Sequence, residues 1–261
     1  MKRYLLQLSY KGTKFHGWQL QPNAYTVQQE IQETLMKIFQ NKIEITGAGR
    51  TDTGVHSKFY VAHFDINEEV NGEVNEETLL KKMNSMLCKD ISVKKIFNVE
   101  DSFHARFDAI SRTYQYYINF TKNPFKTETS YYLYWKPDIK KMNAAAQILF
   151  NYTDFTSFSK LHTDVKTNNC RIYLAEWKEI NEGMIFTIKA DRFLRNMVRA
   201  IVGTLLDIGK YTINEEDMKK IIESKNRSNA GSSVPAHGLF LSDIEYPEIV
   251  DKQLIRLSEN Y

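Results

Sequence analysis

The sequence predicts an α+β fold of two similar halves, and three observations carry that expectation. Segments with period-2 hydrophobic alternation interchange with segments whose apolar residues recur every three or four positions. The kinds of element in residues 1–105 return in a similar order in 106–261, without residue-level repetition. The 261 residues, 42% of them hydrophobic, are enough to bury a substantial core.

Tyr4-Leu5-Leu6-Gln7-Leu8-Ser9-Tyr10 alternates and reads as the first strand. Thr26 opens a helix, with Gln29 completing a capping box and Val27, Ile31, Leu35 and Ile38 on one face. IEIT (43–46) and KFYVAHFDI (58–66) read as strands on either side of a glycine-rich turn. NEETLLKKMNSML (75–87) reads as a helix and ISVKKIF (91–97) as a strand, which gives this half the pattern of a split βαβ unit. The second half offers the strand RTYQYYINF (112–120) and the helix DIKKMNAAAQILF (138–150). A hairpin follows, RIYLAEWKEI (171–180) and MIFTIKA (184–190) turning at Asn181-Glu182-Gly183. Helices are expected over 192–209 and 215–224, and LFLSDIEY (239–246) closes with a strand. Residues 67–76, 122–130, 160–170 and 225–237 read as loops. The two halves are expected to flank one cleft, joined near residues 100–111.

Composition narrows the function classes. No run is long enough to span a bilayer, and the apolar stretch in MKRYLLQLSYKG is too short and interrupted for a signal peptide. Cys88 and Cys170 alone exclude a disulfide framework and point to a reducing, cytoplasmic setting. A formal charge of +3 and a pI near 8.6 are mildly basic and do not by themselves argue for nucleic acid. The aromatic fraction of 13% is ordinary core filling unless positions show otherwise.

The turn GAGRTDTGVHS (47–57) places Arg50, Asp52 and His56 where glycines alone would suffice. It is no dinucleotide fingerprint, because Asp52 stands where the last glycine is needed and a strand follows. It is no P-loop, because the Gly-Lys-Ser/Thr end is missing. Asp52, His56 and His63 lack a tight ligand spacing on one element, so a metal site is the weaker reading. The plain alternative is an Asx-type turn, with Asp52 bonding the backbone near Thr53 and Gly54. Two other segments favour chemistry. FHARFDAISRTYQYYI (103–118) gathers His104, Arg106, Arg112 and three tyrosines near a strand start. On the expected 192–209 helix, Arg192, Arg195 and Arg199 fall within about 60° of one another, with Asn196 and Gly203 in the same stripe. Phe193, Met197, Ile201 and Leu205 would bury the other side. The stripe carries no interleaved acids, so an anion, a polyphosphate or a facing carboxylate suits it better than bulk water.

GRTDTGVHS, FHARF, DFTSF (154–158), MVRAIVGTLLDIG (197–209) and GLFL (238–241) occur in an order that resembles the tRNA pseudouridine synthase A family over nearly the whole chain. The resemblance implies the pseudouridine synthase fold, an α+β arrangement of two ferredoxin-like subdomains. They share a mixed, mainly antiparallel sheet, with helices packed on it and a central cleft. It implies a homodimer holding tRNA and the isomerisation of uridine to pseudouridine at tRNA positions 38, 39 and 40, without cofactor or metal. Residue by residue, it implies Asp52 as catalytic carboxylate and Arg199 as its ion-pair partner. Tyr114 would stack on the target ring and serve as a possible base, and Leu239 would cover the other face. Arg50 would fill the space left by the flipped base, and Arg106 would contact a phosphate. His104 joins Arg106 as a possible RNA contact, and Arg192 and Arg195 extend the basic surface. Histidines 16, 56, 63, 162 and 237 read as structural hydrogen-bonders. Three places depart from the family: Thr53 replaces an alanine, the Ser57-Lys58-Phe59-Tyr60 segment after His56 lacks the usual glycine–glutamine pair, and Cys88 stands where a proline is usual. A second function class is an RNA-binding protein on the same scaffold without chemistry. Metal-dependent phosphoryl hydrolysis would need a carboxylate cluster that the sequence does not show.

Overall fold

The first strand, β1 (Lys2–Tyr10), is buried on both faces: Leu5 and Leu6, which point to opposite sides, are both fully inaccessible. The reason is central placement, with antiparallel neighbours on either edge, Leu6 opposite Ala62 on one and Ile96 on the other. The computed structural model describes residues 1–160 and 167–256. His162 and part of the expected 160–170 loop lie outside them.

Helix α1 (Val27–Phe39) buries Val27, Ile31 and Leu35, as its spacing requires, while Ile38 is only half-buried. Its cap is half of the expected box. Thr26 accepts from the Gln29 N–H at 3.2 Å, but the Gln29 side chain turns along the helix to Glu33 instead of back. Strand β2 (Ile45–Gly47) pairs with β3 (His56–Ile66), Ile45 opposite Phe64, and residues 48–55 connect them. Part of the expected 67–76 loop is a single helical turn, α2 (Glu68–Asn71), because the Asn67 side chain caps it. Helix α3 (Glu76–Met86), capped by Asn75, turns Leu79 and Met83 inward, and β4 (Ile91–Val99) follows.

Strand β5 (Ser111–Asn119) begins the second compact unit, Ser111–Phe240. The short β6 (Tyr131–Tyr132) lies parallel to β5. Helix α4 (Ile139–Ile148) starts where Asp138 accepts two backbone N–H groups. Strands β7 (Ile172–Ile180) and β8 (Gly183–Ala190) form the expected hairpin, Glu182 turning it at φ 65°, and β8 pairs with β5 on its other edge. Helix α5 (Met197–Gly209) is shorter than the sequence suggests. Asn196 sits in the left-handed region at φ 67°, so Arg192–Asn196 approach the helix in a bend instead of forming its first turns. The expected arginine stripe is therefore not a helix face, and α5 is buried nearly all round. Helix α6 (Glu215–Glu223) carries a full capping box from Asn214 and Asp217.

Strand β9 (Leu239–Glu245) and the short α7 (Glu248–Asp251) end the described chain. From Leu241 onward the residues group with Met1–Ile110. The Ser57 hydroxyl donates to the Leu241 carbonyl at 3.1 Å and the Ile110 N–H to the Glu245 carbonyl at 2.8 Å. The buried Gln7 amide satisfies both backbone groups of Ile255. The first unit thus has the strand order β4-β1-β3-β9, with β2 on β3. This departs from a division at 105/106: the boundary follows Ile110, and the C-terminal strand returns to the first unit because its hydrogen-bonding partners are there. Among the described residues no helix is long and apolar enough to cross a membrane.

Candidate functional site

Asp52 sits in the connection between β2 and β3, half-buried, in a turn closed by its own backbone: its carbonyl accepts the Val55 N–H at 3.1 Å. Gly54, third of the four residues, has φ 78°, the value that this kind of turn asks of a glycine. The residues on either side of Asp52 are held from below. The buried Thr51 hydroxyl meets the Tyr10 hydroxyl at 2.9 Å, and its carbonyl accepts the Trp18 N–H at 3.4 Å. Gly17, at φ 84°, lies so close beneath that a Cβ there would be 2.3 Å from the Thr51 oxygen. The Gly54 N–H reaches the Phe15 carbonyl at 3.3 Å. The KFHGW segment (14–18) is therefore the bed of the turn.

The other glycines of the turn have different duties. Gly47 leaves room for Trp18 and Tyr60, which stack with ring centroids 4.0 Å apart. Gly49 is bracketed by the Tyr60 hydroxyl, which contacts both its N–H and its carbonyl. Of the three, only Gly54 has a positive φ. Arg50 is exposed, its Nε donating to Gln19 Oε1 at 2.9 Å. His56 is fully buried and its Nδ1 accepts the Gly12 N–H at 2.9 Å, a structural bond of the expected kind.

His104 and Arg106 lie on a loop of the same unit. The His104 Nδ1 accepts N–H groups of Arg106 (3.1 Å) and Phe107 (3.3 Å), and its ring meets His63 edge-on at 4.9 Å. His63 Nδ1 in turn accepts the Ala105 N–H at 3.1 Å. Burial, with the Arg3 charge second, pushes the His63 imidazole down to about 4, so it is neutral at neutral pH. His104 is also lowered, first by burial.

In the second unit, Tyr114 is half-buried on β5 opposite Ile188, its ring edge-on to Phe193 at 5.1 Å and 86°. Phe193, expected on the buried side of a helix, is instead in the bend before α5. Arg199 is in the first turn of α5, where its Nε donates to the Val234 carbonyl at 2.7 Å and its own carbonyl accepts the Val234 N–H. Gly203 does permit a close approach, and what approaches is this chain: a Cβ there would lie 1.9 Å from the Ser232 carbonyl oxygen. Arg192 is half-buried and reaches the Thr167 carbonyl at 3.2 Å, whereas Arg195 is exposed. Leu239 is buried at the start of β9.

The structure thus gathers Arg50 and Asp52 on one braced turn, sets His104 and Arg106 on one loop, and places Arg199 in the first turn after the bend carrying Arg192 and Arg195. The supports Tyr10, Gln19, Tyr60 and Phe193 were not singled out for the site. Gly17-Trp18 was the one signal for that layer, since a glycine before a large aromatic fits a packed turn. Among the described residues no group of three His, Cys, Asp or Glu side chains is placed to hold a metal ion.

A family model described as tRNA pseudouridine synthase matches residues 8–108 and 145–247, which include every expected site residue except Tyr114. The chain is 52% identical over 248 residues to tRNA pseudouridine synthase A of Parabacteroides distasonis, covering 95% of this chain and 97% of that protein. It is 50% identical over 249 residues to the Bacteroides fragilis protein of the same name, covering 95% and 98%. With the Bacillus pumilus protein of that name it shares 38% over 243 residues, covering 92% and 97%.

Proposed function

The chain belongs to the tRNA pseudouridine synthase family, and we propose that it isomerises uridine to pseudouridine in the tRNA anticodon stem-loop, at positions 38, 39 and 40. The observation that carries this reading is the Asp52 turn, whose flanking residues are anchored by side chains and backbone of the 10–18 segment. A solvated surface turn has no use for that bracing; a carboxylate that must meet one atom does.

The reaction breaks the N1–C1′ bond, turns the released uracil, joins C5 to C1′, and moves the C5 proton off the carbon while N1 gains one. Atoms and electrons balance within the nucleotide, so neither ATP nor a redox cofactor is required. A base in a stem must first leave its stack. Asp52 supplies the carboxylate to the sugar–base junction. Tyr114 offers its ring face to the uracil, its tilt set by Phe193. Arg199 supplies a cation whose direction is fixed by the Val234 carbonyl. Leu239 provides apolar cover. Arg50, steadied by Gln19, enters the space of the extruded base, and His104, Arg106, Arg192 and Arg195 meet the RNA backbone. The protein acts in the cytoplasm as a homodimer.

The experiment is incubation with unmodified tRNA and chemical mapping of pseudouridine, with Asp52→Asn beside the wild type. Wild-type conversion at positions 38–40, with tRNA affinity kept and conversion abolished in the variant, is expected. Tight binding without conversion by the wild type would favour the RNA-binding reading without chemistry.

A further inference from the structure

The loop from His104 to Asp108 is braced at every backbone N–H. His104 N donates to Asp108 Oδ2 (2.7 Å), Ala105 N to His63 Nδ1, Arg106 and Phe107 N to His104 Nδ1, and Asp108 N to the His104 carbonyl (3.0 Å). The carbonyl of Ala105 accepts from the Tyr246 hydroxyl, and that of Phe103, just before the loop, from Arg3 Nη1 at 2.7 Å. Arg3 is itself locked to Asp65 by two bonds of 2.7 Å. A loop with all five N–H groups bonded within the fold ought to hold something in place. What it presents is Phe107, 73% exposed, with the Arg106 guanidinium 5.7 Å from its ring centroid and the His104 ring 4.2 Å away. A large exposed aromatic on a rigid loop loses little freedom on binding, and a cation beside it suits an anionic ligand with a flat base.

We propose that Phe107 is a stacking platform for an unpaired nucleobase of the bound RNA, with Arg106 taking the adjoining phosphate. The proposal rests on the RNA-modifying reading above and adds to it a base contact away from the Asp52 turn. The Arg106 cation beside the exposed ring suits a base joined to its phosphate, and a second copy of this chain is the alternative that the oligomeric-state measurement below excludes or confirms.

The test compares Phe107→Ala, Phe107→Leu and Phe107→Trp with the wild type in four measurements. These are affinity for unmodified tRNA at several salt concentrations, affinity for a short oligouridylate, oligomeric state, and thermal unfolding. Ala and Leu should each weaken binding of both RNAs by about tenfold, the loss of one base stack. The salt slope should stay at the wild-type value because no charge is removed. Trp, which keeps a flat face, should restore affinity to within about twofold. Unfolding should be unchanged throughout, since the ring is exposed. Wild-type affinity in Phe107→Ala, or equal rescue by Leu and Trp, overturns the platform. Dissociation of an oligomer in the Ala variant also overturns it, making this face a contact between copies. If the wild type makes no pseudouridine yet binds oligouridylate through Phe107, the platform stands and the isomerase reading falls. Normal conversion with Phe107-independent binding overturns the platform and leaves the isomerase reading intact. No RNA binding at all removes both.

Discussion

Replacing Gly17 with alanine should disable the Asp52 turn without changing any residue of the turn itself. The added Cβ would lie 2.3 Å from the Thr51 carbonyl oxygen and 3.3 Å from the Asp52 carbonyl carbon. Ordinary contact begins near ~3.4 Å, so the Thr51 carbonyl must retreat by about 1 Å or Gly17 must move away by as much. The backbone at φ 84° adds about 1–2 kcal/mol for any residue with a Cβ. Strain and displacement together should cost roughly 2–4 kcal/mol, a fall in melting temperature of roughly 5–15 °C for a chain of this size. The larger effect is on chemistry, since a displacement of about 1 Å beside a reacting group lowers turnover by about 100-fold. The assay is single-turnover pseudouridine formation at saturating enzyme, with thermal unfolding alongside. Gly49→Ala is the matched control. A Cβ there meets nothing within 4 Å, so stability should stay within about 1 kcal/mol of the wild type. Wild-type turnover by Gly17→Ala would refute the idea that the 14–18 segment holds the catalytic turn in place.

For Tyr114, Phe should preserve tRNA binding and slow turnover strongly if the hydroxyl handles a proton, whereas Ala should abolish conversion; near-normal turnover by Tyr114→Ala removes the residue from the site. Arg195→Ala should reduce the salt slope of tRNA binding by about one unit, while Arg192→Ala, whose guanidinium is committed to Thr167, should change it less; equal slopes for both and the wild type would take this bend off the RNA. His63 stays neutral in the fold down to about 4, whereas an unfolded histidine titrates near ~6.5. Between those values the unfolded chain binds more protons, so its contribution to stability is full above about 6.5 and is lost as pH falls towards 4. His63→Asn, which keeps an acceptor near the Nδ1 position, should flatten thermal stability against pH in that window, and an unchanged slope would assign the acid sensitivity elsewhere.

Elements with strong local signals were legible from residues alone: the Thr26 helix start, the 171–190 hairpin, and the alternating strands all stand within a few residues of expectation. The start of α5 was not. Arg192, Arg195 and Arg199 have helical spacing, and nothing local forbids a helix through them; the left-handed Asn196 is held by a side-chain bond to Ser233, 37 residues away. The return of residues 241–256 to the first unit was hidden for the same reason, since Gln7 and Ser57 look like ordinary strand residues until their distant partners are known. At the site, Asp52 and Arg50 stood out because charge in a glycine turn needs explaining. Tyr10 and Tyr60 did not, because an aromatic that steadies a functional turn has the composition of any core residue.

The return of β9 also sets an order on biosynthesis. Residues 111–240 leave the ribosome before the first unit has all of its parts, and a translating chain folds as its segments emerge. Until Leu241–Ile255 appear, Ser57 lacks its Leu241 acceptor, the buried Gln7 amide has no partner, and β3 has an open edge where β9 belongs. The half that carries Asp52 is begun first and finished last, so a chain that stalls after Phe240 carries the complete second unit and an unfinished first one.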